Sequence, residues 1–141
     1  MTRVLVDTGP LVALLNRRDR HHAWARRVLD TIEPPIFTCD PVISEACFLL
    51  QGLDGGQDAV LELLARGVIQ SDFSVAAEVK SLRALMQKFR DVPMSLADAC
   101  LVRMSELERD SVVLTLDGDF RIYRRNRGQI VPTISPTKGG G

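Results

Sequence analysis

The sequence has 141 residues, of which 45% are hydrophobic and 26% charged, so a disordered or fibrous chain is excluded and one globular domain is expected. Its net charge of zero excludes a protein that attracts nucleic acid through a uniformly basic surface. Three cysteines without zinc-type or C-x-x-C spacing indicate a reduced, cytoplasmic protein. Asp7 interrupts the N-terminal apolar run, so neither a signal peptide nor a membrane span is expected.

The first half of the chain alternates between short β-branched runs and amphipathic stretches. The pattern predicts strands at residues 4–6, 36–38 and 68–70. The predicted helices between them lie at residues 10–16, 19–31, 41–50 and 58–65. Asp40 followed by Pro41 is typical of a helix N-terminus, with Asp40 as the N-cap.

The second half continues the alternation. Helices are predicted at residues 75–89 and 95–107, a strand at 112–114, a helical turn after Asp117 and a last strand near 130–131. Strands that alternate with helices predict a three-layer α/β/α fold with a central, mainly parallel sheet. The expected domain spans 1–135, and the glycine-rich residues 136–141 are expected to form a flexible tail.

Three aspartates follow predicted strands, at the edge where a parallel sheet collects functional residues. Asp7 follows the first strand directly, and Asp117 and Asp119 follow the fourth. The structural alternative for Asp7 is a helix N-cap supported by Pro10, and for the other two it is a polar turn. Capping and metal binding are compatible, so all three are candidate site residues.

Two further acids interrupt apolar helical sequences. Glu45 shares a predicted helical face with Val42 and Leu49, where an uncompensated carboxylate is costly. Its alternatives are a half-exposed edge position or a partner arginine. Asp98 has capping-box spacing from Ser95, which is its alternative role. Both acids are candidates for a charged site.

Together these carboxylates predict a cation site. Several clustered carboxylates repel one another at low dielectric unless a cation compensates them. Oxygen ligands favour Mg²⁺ or Mn²⁺ over zinc or copper, and such an ion suits hydrolysis of phosphate esters by an activated water. Thr8 and Thr115 lie beside the acids and are expected to orient ligands or water by hydrogen bonding.

Four short motifs occur in order along the chain: VLVDTGPLVALL at 4–15, Ser44-Glu45, LADA at 96–99 and TLDGDF at 115–120. In order and separation they resemble the PIN-domain nucleases, and within these the toxin ribonucleases of VapBC-type toxin–antitoxin pairs. The resemblance extends from residue 4 to about residue 131. Each motif is short, so their joint spacing carries the match.

The resemblance implies a PIN-like fold and an endoribonuclease that depends on Mg²⁺ or Mn²⁺. It implies catalytic roles for Asp7, Glu45, Asp98 and Asp117, and a metal site of Asp7, Asp98 and Asp117 with Asp119 close by. It also implies structured RNA such as tRNA or rRNA as substrate, a homodimer, and a cognate antitoxin whose C-terminal segment lies in the active-site groove.

The basic residues are mostly arginine, whose guanidinium group binds phosphate through paired hydrogen bonds. Candidate RNA contacts occur in two clusters, one before the second helix and one after the last acidic motif: Arg17, Arg18, Arg121, Arg124 and Arg125. The alternative is a compositional preference for arginine on ordinary solvated surfaces.

Histidine and aromatic residues are assigned mostly structural roles. His21 and His22 are expected to face solvent, and Trp24 and Phe48 to lie in the core. Tyr123, between arginines, is a candidate for stacking on a base.

Three other functions are compatible with parts of the sequence. Residues 7–9 spell the Asp-Thr-Gly triplet of aspartic proteases, but those need an all-β scaffold, whereas Pro10 begins a helix. A phosphatase with Asp7 as nucleophile needs a lysine after a later strand, and Lys80 and Lys88 fall within one helix. A PIN-like module that binds RNA or a partner without cleavage remains, although the complete set of acids argues against it.

Overall fold

The computed structural model describes residues 2–136 and contains seven strands, six α-helices and one 3-10 helix in that range. The strands are β1 (Arg3–Val6), β2 (Ile36–Thr38), β3 (Ile69–Ser71), β4 (Ser111–Leu114), β5 (Arg124–Arg125), β6 (Gln129–Ile130) and β7 (Thr133–Ile134). The helices are α1 (Thr8–Leu15), α2 (His22–Asp30), α3 (Asp40–Leu49), α4 (Gly56–Ala65), α5 (Val79–Lys88) and α6 (Leu96–Leu107). The 3-10 helix spans Gly118–Arg121.

Five strands form one parallel sheet in the order β3-β2-β1-β4-β7. The central strands β1 and β4 pair along their whole length, with Arg3 beside Ser111 and Val6 beside Leu114. Pairs of α-helices make the crossovers between β1, β2, β3 and β4, and the 3-10 helix with the β5–β6 hairpin makes the crossover from β4 to β7. The predicted three-layer α/β architecture is therefore confirmed, and the residues that follow β1 and β4 lie side by side at the carboxyl edge of the sheet.

The hydrophobic core surrounds the two central strands and α6. Leu5 and Val6 in β1, and Val113 and Leu114 in β4, are fully buried. Four consecutive residues of α6, 99–102, are also fully buried, so this helix is enclosed on several sides. Each buried Val or Leu side chain stabilises the fold by about 1.5–3 kcal/mol. This packing holds the strand ends and the start of α6 in fixed positions.

A smaller apolar cluster joins α3 to α4. It consists of Ala46, Leu50 and Val60. The chain turns between the two helices so closely that a methyl group at Gly56 would collide with the backbone carbonyl oxygen of Leu50. This junction therefore depends on glycine at the first residue of α4.

The end of the main sheet differs from the prediction. A last strand was expected near 130–131, but the edge strand is β7 (Thr133–Ile134), and β6 instead pairs antiparallel with β5. Asn126 and Gly128 in this hairpin have φ values of 51° and 85°, in the left-handed region that tight hairpin turns require. The local hairpin turn therefore pairs Gln129 and Ile130 with β5 and not with the main sheet, and Ile130 is exposed.

The start of α3 is correct within one residue, but the predicted cap is wrong. The N-cap is Cys39, which makes no side-chain capping hydrogen bond. Asp40 lies in the first turn, where its negative charge favours the helix N-terminus. Its Oδ1 accepts a hydrogen bond from Ser71 Oγ at 2.6 Å and so ties α3 to the end of β3.

Helices α2 and α5 begin later than predicted, at His22 and Val79. Asp19 forms a local turn instead of starting a helix, because its Oδ1 accepts a hydrogen bond from the His21 amide at 2.8 Å. Trp24 is buried in the core, as predicted.

Two further expectations concern membranes and the chain end. No helix within residues 2–136 combines the length and the apolar composition needed to span a membrane. The predicted tail at 136–141 lies outside the described residues apart from Pro136. The domain bounds of 1–135 stay a prediction.

Candidate active site

Asp7 and Thr115 meet where the two central strands end. The Asp7 amide donates a hydrogen bond to the Leu114 carbonyl at 2.9 Å, which continues the β1–β4 pairing by one residue. Thr115 Oγ1 donates to Asp7 Oδ2 at 2.7 Å, and the Thr8 amide donates to Asp7 Oδ1 at 2.8 Å. Asp7 is thus the N-cap of α1 and is also only 6% exposed. Its capping role is real and fixes the direction of the carboxylate.

A chain of hydrogen bonds holds the loop after β4. The Asp117 amide donates to Thr115 Oγ1, and the Asp119 amide donates to Asp117 Oδ1, each at 2.9 Å. Asp117 is the N-cap of the 3-10 helix, so the polar turn considered from the sequence is present. Asp117 is exposed and Asp119 half-buried, so both remain accessible to a ligand. Thr115 therefore links this loop to Asp7.

Asp98 lies in the first turn of α6 and is held by a buried tyrosine. Ser95 caps the helix by accepting a hydrogen bond from the Asp98 amide at 3.1 Å. Tyr123 Oη donates to Asp98 Oδ2 at 2.7 Å. The tyrosine ring is fully buried and packs edge-to-face against Phe89 and Phe120. The prediction that Tyr123 stacks on a base is therefore wrong, and its hydroxyl instead orients Asp98.

Sequence reasoning missed this role of Tyr123, although one signal was present. Phe120 and Tyr123 are three residues apart in a helical turn, a spacing that places both side chains on the same side. The histidines also differ from expectation, since both are half-buried. His22 Nδ1 lies 2.7 Å from the Ala13 carbonyl oxygen, so it connects α2 to α1.

Glu45 lies on the exposed side of α3. The buried side of this helix carries Val42 and Ala46, four residues apart. Phe48 is 65% exposed and Leu49 is 54% exposed. The prediction that Phe48 lies in the core is wrong, because the helix turns its other side to the core. Glu45 is itself exposed, next to apolar side chains that are exposed as well.

Burial, and then the charges of neighbouring acids, raise the pKa of three of the candidate carboxylates. Burial raises the pKa of Asp7 from 3.8 to about 6; hydrogen bonds from the adjacent threonines lower it, and the charges of Asp98 and Asp117 raise it. Burial, followed by the same two charges, raises the pKa of Glu45. The pKa of Asp98 is raised by burial and by Asp117, against the lowering effect of the Tyr123 hydrogen bond. The four acids are therefore electrostatic neighbours.

The donor set suits a hard divalent cation. Among residues 2–136, none of Asp7, Glu45, Asp98 and Asp117 forms an ion pair with Lys, Arg or His, so their charge is unbalanced. All potential ligands are oxygens, which Mg²⁺ and Mn²⁺ prefer. Thr8 Oγ1, directly after Asp7, is buried and lacks a hydrogen-bond partner in the described part of the chain. The residues present fit such an ion.

The acids do not form a closed cage. Within the described range, no three His, Cys, Asp or Glu side chains are arranged to hold an ion together. Mg²⁺ usually keeps several waters and contacts only one or two carboxylates, so a closed cage is not required for it.

The predicted RNA-contact arginines differ in exposure. Arg17, Arg18 and Arg121 are exposed. Arg124 is half-buried, and its Nη1 donates to three backbone carbonyls of the preceding residues. Arg125 is 8% exposed, and its guanidinium donates to the backbone carbonyls of Ser105 in α6 and of Arg109 just after this helix. The prediction that Arg125 contacts RNA is therefore wrong, because this side chain anchors the hairpin.

Comparisons with known proteins identify the family. A model of the PIN domain matches residues 4–126. The chain is 27% identical over 117 residues to Ribonuclease VapC26 of Mycobacterium tuberculosis, a match that covers 81% of this chain and 86% of that protein. It shares the fold of the crystal structure of Mycobacterium tuberculosis VapC20, a "Sarcin-Ricin loop cleaving toxin", with a TM-score of 0.74 at 21% identity over 82% of this chain and 91% of that one. Because the family model covers most of its length, the chain belongs to the PIN-domain family.

Proposed function

We propose that the chain is a metal-dependent endoribonuclease and the toxin of a toxin–antitoxin pair. The observation that carries the proposal is that Thr115 hydrogen-bonds both the Asp7 carboxylate and the Asp117 amide, so acids from distant parts of the chain meet at one edge of the sheet. The effect of the Asp98 and Asp117 charges on the pKa of Asp7 and Glu45 agrees with this arrangement. Unbalanced carboxylates at the carboxyl edge of a parallel sheet are typical of a site that binds a divalent cation. The names of the two relatives, a ribonuclease and a Sarcin-Ricin loop cleaving toxin, support RNA as the substrate.

In the proposed site, Asp7, Asp98 and Asp117, with Asp119 beside them, would hold Mg²⁺ or Mn²⁺, one or two of them directly and the others through water bound to the ion. When bound, the ion supplies activation of a water and neutralises charge on the phosphorus under attack. Thr115 keeps the Asp7 carboxylate in one orientation through its 2.7 Å hydrogen bond. The buried, unpartnered hydroxyl of the residue after Asp7 is available to orient a ligand or water.

Two more residues have proposed roles: Tyr123 orients the Asp98 carboxylate, and Glu45 accepts a proton from water. Tyr123 donates to Asp98 and stabilises the ionised carboxylate that a cation needs. Glu45 is exposed and its pKa is raised, so its carboxylate is suited to take the proton of the attacking water and release it to solvent. These roles assign orientation to buried groups and proton exchange to the exposed acid.

Exposed arginines are the proposed contacts to the RNA backbone. Arg17 and Arg18 precede α2, and Arg121 lies in the 3-10 helix beside the acids; the half-buried Arg124 keeps a secondary role. Replacing Arg17 and Arg18 by Gln is expected to weaken RNA binding and to reduce its salt dependence. An unchanged dependence of binding on salt would argue against these contacts.

The proposed partners are a cognate antitoxin and a second copy of the chain. An arginine from an antitoxin segment would pair with the acidic cluster and exclude the metal. Exposed apolar side chains on α3 and just after it, Phe48, Leu49 and Leu53, support association with another protein surface. Light scattering of the purified chain is expected to give the mass of a dimer, and a monomer at all concentrations would contradict the homodimer.

Cleavage of total cellular RNA tests the activity. Wild type, Asp7→Asn and Asp40→Asn are each incubated with Mg²⁺, Mn²⁺ or EDTA. Asp40 is the matched control, because it is an exposed acid in α3 that accepts a hydrogen bond from Ser71 and is not among the charges that raise the pKa of Asp7, Glu45 or Asp98. Discrete fragments are expected from wild type and Asp40→Asn with metal only, and their ends would show whether the target is tRNA or rRNA.

Two results would contradict the proposal. Equal cleavage by Asp7→Asn and wild type would mean that Asp7 is only a helix cap or that the activity is a contaminant. No cleavage by folded, inhibitor-free wild type would favour the PIN-like module that binds RNA or a partner without cutting it.

A further inference from the structure

A pocket of about 180 Å³ lies directly beside the acidic cluster, where β4 and β7 end. It shares Thr115 and Asp117 with the cluster. The rest of its polar lining comes from three separate segments and consists of hydrogen-bond donors: His21, Arg121, Thr133 and Ser135. The predicted carboxylate site therefore continues into a second, donor-rich compartment.

The side chains of these donors have no hydrogen bond or ion pair to residues 2–136 that would occupy them. Arg121 forms no ion pair within residues 2–136, although Asp117 and Asp119 belong to the same turn. Its guanidinium lies over Gly118, with Nη2 3.7 Å from the position that a Cβ atom would take there. The His21 side chain makes no capping hydrogen bond to α2. Such unpartnered donors are available to a ligand.

Two hydroxyl groups also line the pocket. Thr133 lies in β7 and Ser135 just after it, and neither side chain has a hydrogen bond in the described part of the chain. Together with the guanidinium and the imidazole they line the pocket with donors from three separate segments of the chain. This is the arrangement by which proteins contact phosphate oxygens.

The size of the pocket limits its occupant. At about 180 Å³ it is smaller than the roughly 300–1,000 Å³ of sites for small molecules. A single tetrahedral anion fits such a volume better than a whole metabolite does. Because the pocket lies beside the acids, an anionic group bound in it would lie next to a second group held at the acids. The two groups could therefore belong to one molecule. A polymer with one phosphate per nucleotide offers both a small tetrahedral anion for the pocket and a neighbouring phosphate for the acids.

We propose that this pocket binds the phosphate adjacent to the scissile phosphodiester of the RNA, with Arg121 as its main contact and Thr133, Ser135 and His21 as supporting donors. The inference rests on the proposed function, because it assumes that the acidic cluster holds the scissile group. It gives the pocket a positioning role: fixing the neighbouring phosphate sets the register of the strand over the carboxylates.

The test measures RNA binding separately from cleavage. The Asp7→Asn protein, in EDTA, is titrated with a short fluorescent single-stranded RNA over a range of salt concentrations. Arg121→Gln is added to this background, and Arg66→Gln serves as the matched control. Arg66 is an exposed arginine that ends α4 before β3 begins, at the opposite edge of the sheet.

Arg121→Gln is expected to weaken binding about tenfold and to reduce the slope of log affinity against log salt by about one. Arg66→Gln is expected to change neither quantity. Arg121→Lys is expected to keep the salt slope, which separates loss of charge from misfolding. Thr133→Val is expected to weaken binding less and to leave the slope unchanged, because it removes a neutral donor.

Three results would overturn the assignment. Equal affinities of Arg121→Gln and Arg66→Gln for RNA would mean that the pocket does not contact the RNA. The nuclease proposal would not be affected. A loss of affinity with an unchanged salt slope would show a base or sugar in the pocket. Absence of any RNA binding by Asp7→Asn, together with no cleavage by wild type, would overturn the nuclease proposal itself.

Discussion

Single hydroxyl groups hold the two buried carboxylates of the candidate site. Thr115 donates to Asp7 and Tyr123 donates to Asp98, each over 2.7 Å. Both hydrogen bonds favour the ionised carboxylate and so oppose the effect of burial. At the residue scale, the site is therefore a balance between burial, which favours protonation, and donors that keep the acids charged and oriented.

Tyr123→Phe is expected to lower cleavage and to shift the acid limb of its pH profile to higher pH. Removing the hydroxyl raises the pKa of Asp98 further, because a hydrogen bond to the charged form is lost. The packing of the ring against Phe89 and Phe120 is kept, so stability should fall by only about 1 kcal/mol. The measurements are the rate of RNA cleavage against pH and the free energy of unfolding.

Ser105→Ala is the matched control for Tyr123→Phe. Ser105 is fully buried and its hydroxyl donates to the Val102 carbonyl within α6, so the variant also loses one buried hydrogen bond. Its pH profile should equal that of the wild type. An equal shift in both variants would mean that Tyr123 acts only through general stability.

Asp7 is expected to make the metal-free protein less stable as pH rises from about 4 to about 6. An acid whose pKa is raised on folding binds more protons in the folded state across that range, so deprotonation opposes folding. The difference between 3.8 and about 6 corresponds to about 3 kcal/mol. In EDTA, the free energy of unfolding of Asp7→Asn relative to wild type should therefore increase by up to about 3 kcal/mol between pH 4 and pH 7.

Ser105→Ala is the control in the same urea titrations, because it removes a buried hydrogen bond but no carboxylate. Its difference from wild type should stay nearly constant over the same range. Saturating Mg²⁺ or Mn²⁺ should reduce the destabilisation of wild type and leave Asp7→Asn little changed. A pH-independent difference between Asp7→Asn and wild type would contradict the pKa that burial gives Asp7.

The helices differ in how closely the sequence defines them. The α6 helix has a serine cap and a continuous apolar run, and both are found where the sequence predicts them. The exposed side of α3 was misjudged, because Phe48 and Leu49 are as apolar as the residues that face the core. Periodicity alone does not say which of two apolar faces meets the rest of the molecule, and this limits prediction for a short helix.

Gly56→Ala is expected to destabilise the protein by about 1–3 kcal/mol through the junction of α3 and α4. The added methyl group meets the Leu50 carbonyl oxygen and side chain, so one of the two helices must shift. Gly52→Ala is the matched control, because nothing lies within 4 Å of the added methyl group. Urea unfolding measures both variants, and equal free energies of unfolding would contradict this packing.

At the scale of the whole molecule, parallel strand pairing explains how acids distant in sequence come together. Register alone places Asp7 beside Thr115, since β1 and β4 pair from Arg3–Ser111 to Val6–Leu114. The sequence is sufficient to predict that these acids meet at the carboxyl edge of the sheet, because each apolar strand is directly followed by an acidic motif. Arg125 was misassigned because its burial depends on a hairpin that forms only through the left-handed turn after it. Tertiary contacts of this kind leave no periodic pattern.

Binding of Mn²⁺ to the purified protein tests the central claim most directly, because it requires no knowledge of the target RNA. Titration calorimetry compares wild type with Asp98→Asn and with Asp40→Asn, each after treatment with EDTA and a check of folding by circular dichroism. We expect wild type and Asp40→Asn to bind Mn²⁺ equally, and Asp98→Asn to bind at least about tenfold more weakly. Equal affinity in all three proteins, or no binding by wild type, would contradict a metal site built from the carboxylate cluster.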